Sequence, residues 1–423
     1  MKYAKIVILV VITFYYCFPQ ALNVAGSSFI FFSGILGLGL YSWHRFPFKE
    51  TMNLIAALIL LVFTYITCMA INGGDDGGYA IGYAKSNIAW IFTAYLIVFI
   101  LFNIHKRPTF HTLLYYFVGV IAIQCFIATA MYFNEGLKDF LLSIQLQTDI
   151  SQEAVDTVEN QRLVGYGTGF FGAGAICGLG LILTGYLLIK SYLDNKKFIL
   201  LALTYTFIFF IGLFMARTTT IGLAFSLMLM TFLYFTDERA NKKNMKRFVV
   251  SFGVLIFIGV ALASVYFSAF TDWAFELFRN FFQTGEFSTQ SSDGMFHMLY
   301  APSDAFTYIF GRGNMHFFGS DIGYTRLIFY SGIIGTIMFF LYPMAVAKLS
   351  FTKDWSINIL MLVMIVYVMV LNLKGLIDQT PMLYPIFFYF MFYKYYIYMP
   401  KLYAQARLAH IEQRANMLNQ LRK

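Results

Sequence analysis

Residues 198–236 read FILLALTYTFIFFIGLFMARTTTIGLAFSLMLMTFLYFT, a run in which Arg217 is the one charged residue. A helix crossing a bilayer needs about 20 mainly apolar residues. The run therefore holds two spans, 198–215 and 219–236, joined by a turn of a few residues around Arg217. Reading outward in both directions gives about twelve such stretches: 5–23, 27–43, 52–71, 86–104, 112–133, 167–189, these two, and then 248–268, 321–347, 356–373 and 382–398. Composition agrees, with 59% hydrophobic residues, a fifth of the chain aromatic and 12% charged, where soluble domains carry about 25%. A soluble enzyme is excluded, and with 8 prolines and 4 cysteines in 423 residues so are collagen-like and disulfide-stapled folds. The expected fold is an all-α polytopic membrane bundle. One membrane domain covers 1–399, and a basic amphipathic tail covers 400–423. Lys2 and Lys5 before an apolar core give the first span the build of a signal peptide. Because the chain returns to the membrane repeatedly, an uncleaved span is expected there. No internal repeat is visible.

The net charge of +9 would suggest nucleic acid in a soluble chain. With the N-terminus inside, 22 of the 30 lysines and arginines fall on the inner segments, with 6 of the 21 acids. The inner side carries +16 and the outer side −7. The positive-inside rule thus places both termini in the cytoplasm. Cys17, Cys68, Cys125 and Cys177 all fall inside spans, one to each, and read as small apolar packing residues. No metal-ligand spacing and no nucleotide-binding fingerprint occurs, so neither a metal nor a cofactor is expected.

Two outer loops are long, about 134–166 and 269–320, and loops beyond about 12–15 residues are uncommon unless functional or disordered. The second runs through Phe270, Trp273, Phe275, Phe278, Phe281 and Phe282, the pattern of an amphipathic helix on the membrane surface. Five of the eight outer bases are arginines in unusual places. Arg162 precedes a glycine-rich span, Arg217 occupies the short turn, Arg312 lies in FGRGN, and Arg326 falls about one turn inside the tenth span. Arg279 lies on the surface helix, where solvation is the simpler reading. An arginine at membrane depth costs about 2.5–3.5 kcal/mol and should face a partner or a wet cavity. Guanidinium is also the preferred bidentate clamp for phosphate oxygens. Arg162, Arg217, Arg312 and Arg326 are therefore candidates to hold a lipid-linked diphosphate. Structural alternatives are snorkelling for Arg217, a pair with Asp321 or Asp378 for Arg326, and loop bracing for Arg162 and Arg312.

The segment 311–335, GRGNMHFFGSDIGYTRLIFYSGIIG, is rich in glycine, which permits a tight passage from loop to span. Asp321 and Tyr324 stand three apart at a helix start and share a face. The acid could simply cap the helix. It could also act as a general base on a sugar hydroxyl, with His316 and His297 as the other candidate bases.

The chain resembles the Wzy family of O-antigen and capsular polysaccharide polymerases. The resemblance rests on about twelve spans with two large outer loops, and on three short stretches. These are the Arg-Leu-Val-Gly opening of a glycine-rich span (Arg162 to Gly180), the Arg-Thr-Thr-Thr-x-Gly turn (Arg217 to Gly222), and Gly-x-Gly followed by Ser-Asp-x-Gly-Tyr and Gly-x-x-Gly (Gly311 to Gly335). Some family members carry an Arg followed by ten residues and a Gly in both loops. Arg312 and Gly323 fit that spacing, while Arg162 misses it, its glycines falling at 172 and 174. The resemblance implies a metal-independent glycosyltransferase of the GT-C type on the periplasmic face of the bacterial inner membrane. Its donor and acceptor would be undecaprenyl-diphosphate-linked oligosaccharides, with a chain-length regulator and a flippase as possible partners. Asp321 would be the base, Tyr324 would orient it or the sugar, and the four arginines would hold the diphosphate. The rivals are an O-antigen ligase, in which histidines stand where this chain has Ser320-Asp321, and a lipid or polysaccharide transporter. A transporter would place its polar site at mid-depth on broken helices.

Overall fold

The computed structural model describes residues 2–44, 46–146, 162–191, 193–286, 294–295, 297–316 and 318–398. The tail expected over 400–423, and residues 147–161 of the first long loop, lie outside the described residues. The architecture is helical, with one two-stranded hairpin, Asn23–Val24 against Ser27–Ser28. In chain order the helices are α1 (Lys2–Cys17), α2 (Phe29–Trp43), α3 (Phe48–Asn72), α4 (Tyr79–His105), α5 (Phe110–Phe133) and α6 (Glu135–Ile144). There follow α7 (Phe170–Lys190), α8 (Asn195–Met215), α9 (Thr219–Thr236), α10 (Lys242–Tyr266), α11 (Ser268–Ala274) and α12 (Glu276–Thr284). Last come α13 (Ala305–Phe310), α14 (Gly323–Leu349), α15 (Trp355–Leu371) and α16 (Tyr384–Phe392), whose final turn widens into a π-helix over Tyr393–Tyr398.

Among the described residues, eight helices are long and apolar enough to cross a membrane: α3, α4, α5, α7, α8, α9, α10 and α14. At the other four expected positions lie shorter helices, α1, α2, α15 and α16. Pro19 and the hairpin end the first stretch at Cys17, short of the expected residue 23. Several helices open on a side chain that accepts an otherwise orphaned amide. Asp194 takes Lys197 N at 2.8 Å, Asn241 takes Asn244 N at 3.0 Å and Asp354 takes Ser356 N at 3.0 Å.

Helix α7 is the hub. Of its apolar window 89% is buried, against 17% for α10, which is left to the lipid. The reason is its glycine stripe. A Cβ on Gly174 would lie 2.2 Å from Thr218 Oγ1, one on Gly222 2.1 Å from the Cα of Gly178, and one on Gly185 2.4 Å from Ser226 Oγ. Backbones of α7 and α9 therefore touch, the small-residue packing that brings membrane helices together where apolar burial gives no drive. Tyr367 Oη then donates to Ala175 O at 3.0 Å and ties α15 to the same helix.

The expected tenth span is broken. At Gly332 the backbone has φ 64° and ψ −173°, and rings eight residues to either side, Tyr324 and Phe340, stack at 5.0 Å. In a straight helix those residues would be about 24 Å apart. The arm 323–331 is thus bent sharply against the arm 333–349. Only glycine fits the corner, since a Cβ at 332 would lie 2.0 Å from Ile309 O. The loop covers the bend from outside: Arg312 N donates to Phe329 O at 2.7 Å and Gly313 N to Tyr330 O at 3.0 Å.

Gly222→Ala should lower resistance to denaturant unfolding in detergent by about 1–3 kcal/mol, because backbone must move to admit the methyl. Gly253→Ala, where a Cβ meets open space, should leave it unchanged or slightly raised.

Candidate functional site

The α7–α9 contact sets Arg162 and Arg217 side by side. Leu163 N donates to Phe214 O at 3.0 Å, and Gln124 Nε2 donates to Tyr166 O at 2.7 Å, so the segment leading into α7 is fixed against α8 and α5. Arg217 closes the turn from α8 to α9, its carbonyl accepting Thr220 Oγ1 at 2.7 Å. Both guanidinium carbons then stand over one indole, 4.5 Å and 4.7 Å from the Trp273 ring centroid for Arg162 and Arg217. Cation–π contact of this kind is worth about 0.5–2 kcal/mol each. It holds two like charges together without neutralising either. Arg217 is also ion-paired to Glu276. Arg162 has no ion pair among the described residues, and its buried Nε has no hydrogen-bond partner.

Trp273 and Glu276 come from α11 and α12. These helices lie across the end of the bundle: Phe270 is buried, and Phe275 packs on Phe210 and Phe214. The expected surface helix is thus a lid over the arginines, with the apolar edge at Phe282 exposed.

A third cation joins them. Asn372 closes the turn after α15, donating to Ile377 O at 2.9 Å and accepting Ile377 N at 3.3 Å, while Gly375 lies against the Phe171 ring. Lys374 is held in that turn. Its amine is pushed down to about 8, first by burial, then by Arg217 and Arg162, with Asp321 opposing. Burial and the neighbouring Arg217 also lower Arg162. Arg217, Arg162 and Asp321 are thus the charged neighbours of Lys374 at one end of the bundle. Sequence reasoning counted Lys374 among the outer bases and gave it no role. The signal available was the one that singled out Arg217, a lone base in a short turn between two apolar stretches.

The remaining candidates stand elsewhere. Arg312 is exposed and lies over Phe329 at 5.0 Å and Phe318 at 5.8 Å, and exposed His316 meets Phe318 edge-on. His297 is exposed. Tyr324 gives its hydroxyl to Met369 O at 3.0 Å, so it does not orient Asp321. Asp321 itself is exposed and makes no hydrogen bond or ion pair among the described residues. Arg326 lies on the short arm of α14, half-buried, with its Nε buried and unpartnered. It pairs with neither Asp321 nor Asp378, whose carboxylate instead accepts Tyr83 Oη at 2.6 Å. The four arginines thus do not converge. Two join Lys374 and two stand apart. Arg279 is exposed on α12. The four cysteines are free and buried, as expected of packing residues, and no group of three or more metal-binding side chains gathers among the described residues.

No protein-family model, curated protein or solved structure matches the chain.

A diphosphate probe at these cations should bind more weakly as pH rises through about 8. Lys374 loses its proton there, while bound anion favours its charged form. With the other three tryptophans replaced, titration of inorganic pyrophosphate followed through Trp273 emission should show the decline, and Lys374→Arg should flatten it. The same shift has a stability consequence. The unfolded chain binds a proton between about 8 and the ordinary lysine value and the folded chain does not, so stability rises with pH across that window. Lys374→Met should stabilise the protein at pH 7 relative to wild type, with the gain shrinking towards pH 10.

Proposed function

We propose that the protein is a membrane glycosyltransferase that polymerises polysaccharide, moving a glycan chain from one polyprenyl diphosphate carrier to a terminal sugar hydroxyl on another. The observation that supports this reading is the pair Arg162 and Arg217 on the face of Trp273, with Lys374 as their electrostatic neighbour and the exposed carboxylate of Asp321 also acting on it. A diphosphate leaving group needs its developing charge neutralised more than it needs protonation. Preorganised cations in a water-poor site provide that. In the transfer, the acceptor oxygen bonds to the anomeric carbon, the bond from that carbon to the carrier's phosphate oxygen breaks, and the hydroxyl proton passes to Asp321. Only Arg162 and Arg217 of the four arginines clasp the diphosphate, and Lys374 takes the third place. Asp321, exposed and unpaired beside the cations, is better placed as the base than His316 on its outlying ring stack. The lid helices α11 and α12 would exclude water from the leaving group.

We further infer that α1, α2, α15 and α16 also cross, making twelve spans in a GT-C-like bundle, with both termini cytoplasmic and the cations on the periplasmic face of a bacterial inner membrane. The charge asymmetry of the segments supports that orientation. Gathering of the cations at one end of the bundle favours transfer chemistry over a carrier, which needs a site reached from both sides.

Purified protein in nanodiscs, supplied with undecaprenyl-diphosphate-linked oligosaccharide, should yield a product ladder on a gel. Arg217→Ala should slow its formation about 10²–10³-fold, the scale of losing one preorganised charge donor. Asp321→Asn should slow it by about 10²–10⁴-fold, the scale of general-base loss. A normally inserted Arg217→Ala protein that extends glycan at the wild-type rate would sink the assignment. Lipid A core supplied as sole acceptor tests the ligase reading, since a ladder-free single transfer would favour it.

A further inference from the structure

Where Tyr330, on the short arm of α14, meets α3 and α4 lies a second polar cluster that the transfer chemistry above does not use. Tyr65 is at its centre, its ring 5.1 Å from Tyr330, 6.0 Å from Tyr83 and 6.2 Å from Tyr79. Two carboxylates close its sides. Asp76 accepts Tyr330 Oη at 2.9 Å and the amides of Gly78 and Ala80, while Asp378 accepts Tyr83 Oη at 2.6 Å. Arg326 is the cation of the cluster: it stands one turn before Tyr330 on the same arm of α14, on the face that Tyr330 presents to Tyr65 and Asp76.

Hydrogen-bonding capacity is left over here. The Tyr65 hydroxyl is fully buried, at 0% exposure, and has no partner in the protein. Buried Arg326 Nε has none either, and the guanidinium lies beyond ion-pair distance of both carboxylates. A buried polar group without a partner costs about 1–3 kcal/mol. Arginine at this depth is expected to face a partner or a wet cavity. Tyr79, Tyr83, Arg326 and Asp378 are each partly exposed and form the outer edge of the cluster, with Tyr65, Tyr330 and Asp76 buried beneath them.

We infer that this cluster is a glycan subsite, in which the Tyr65 hydroxyl and Arg326 bind the hydroxyls of an uncharged sugar between Asp76 and Asp378. Charge decides between sugar and phosphate. Two carboxylates outweigh one guanidinium, so a phosphate brought to Arg326 meets net repulsion. A sugar hydroxyl both donates and accepts, so it can take the arginine N–H while giving its proton to a carboxylate oxygen. The partly exposed rings of Tyr79 and Tyr83 supply flat apolar surface for the sugar ring. The inference rests on the proposed glycosyl transfer for its ligand class and gives it a specificity site. Asp321 stands just before the arm that carries Arg326, so a glycan seated against Arg326 would lie along the helix from the proposed base.

The test uses full-length protein in nanodiscs with two probes. One is a panel of free, uncharged tetrasaccharides of hexose and N-acetylhexosamine, followed by saturation-transfer NMR. The other is undecaprenyl diphosphate without sugar, followed by calorimetry. Tyr65→Phe removes only an unpartnered buried hydroxyl, so it should leave thermal stability unchanged or raise it. It should weaken binding of a tetrasaccharide about threefold to tenfold, the value of one neutral hydrogen bond. Arg326→Gln should weaken it further, and both variants should bind the sugar-free lipid normally, whereas Arg217→Gln should lose the lipid and keep the sugar. The inference is overturned if no tetrasaccharide binds wild type, or if Tyr65→Phe and Arg326→Gln both bind sugar as tightly as wild type. It is also overturned if Arg326→Gln weakens the sugar-free lipid as much as Arg217→Gln does. Sugar binding with the expected variant pattern, alongside a wild type that ignores the lipid, would remove the diphosphate reading and leave the subsite standing.

Discussion

Gly178 and Gly222 meet backbone to backbone, and the rest of the molecule is arranged around that contact. In lipid there is little to gain from burying one apolar side chain against another, so helices associate where small residues let their backbones approach. The stripe from Gly174 to Gly185 makes α7 such a surface on a helix that α9 and α15 share. A side chain at Gly174, Gly178 or Gly185 would press on α9 or the turn before it and carry Arg217 out of register with Arg162. The position of the two guanidiniums on Trp273 is in this sense a consequence of glycine placement some turns deeper.

Charge at the bundle end is managed without full neutralisation. Glu276 answers one arginine, Trp273 accommodates two, and the amine of Lys374 is depressed first by burial and then by the two arginines. A bound dianion would offset those charges. The neighbouring tyrosine cluster has the opposite balance, with two carboxylates to one guanidinium. Arg326 stands in it on the short arm of α14, and the break at Gly332 produces that arm. A straight α14 would carry Tyr324 about 24 Å from Phe340 along the helix axis, and the stacking that fixes the arm would be lost.

Most of the helices were legible from hydropathy alone, and with them the oddity of the arginines. Their grouping was not. Arg162, Arg217, Arg312 and Arg326 look alike in sequence, each a base near a span end on the less basic side. Only packing distinguishes them. Lys374 has the same sequence signature as Arg217, a lone base in a short turn between two apolar stretches. The lid was legible as an amphipathic aromatic segment, but whether its apolar face meets lipid or protein depends on what the other loops leave uncovered.

The sequence by itself determined that the chain is a helical membrane protein, that its charges are unevenly divided among the segments between apolar stretches, and that glycine would govern the passage through 311–335. Hydrophobic length, lysine and arginine asymmetry and backbone freedom are properties of local stretches, so they are written locally. The tertiary structure alone decided which cations stand together, that Arg326 belongs with tyrosines and carboxylates, and that the tenth stretch is bent back on itself. Those outcomes depend on contacts between residues distant in the chain, such as Gly313 against Met69 or Tyr367 against Ala175, and no local pattern encodes which distant backbone will be there.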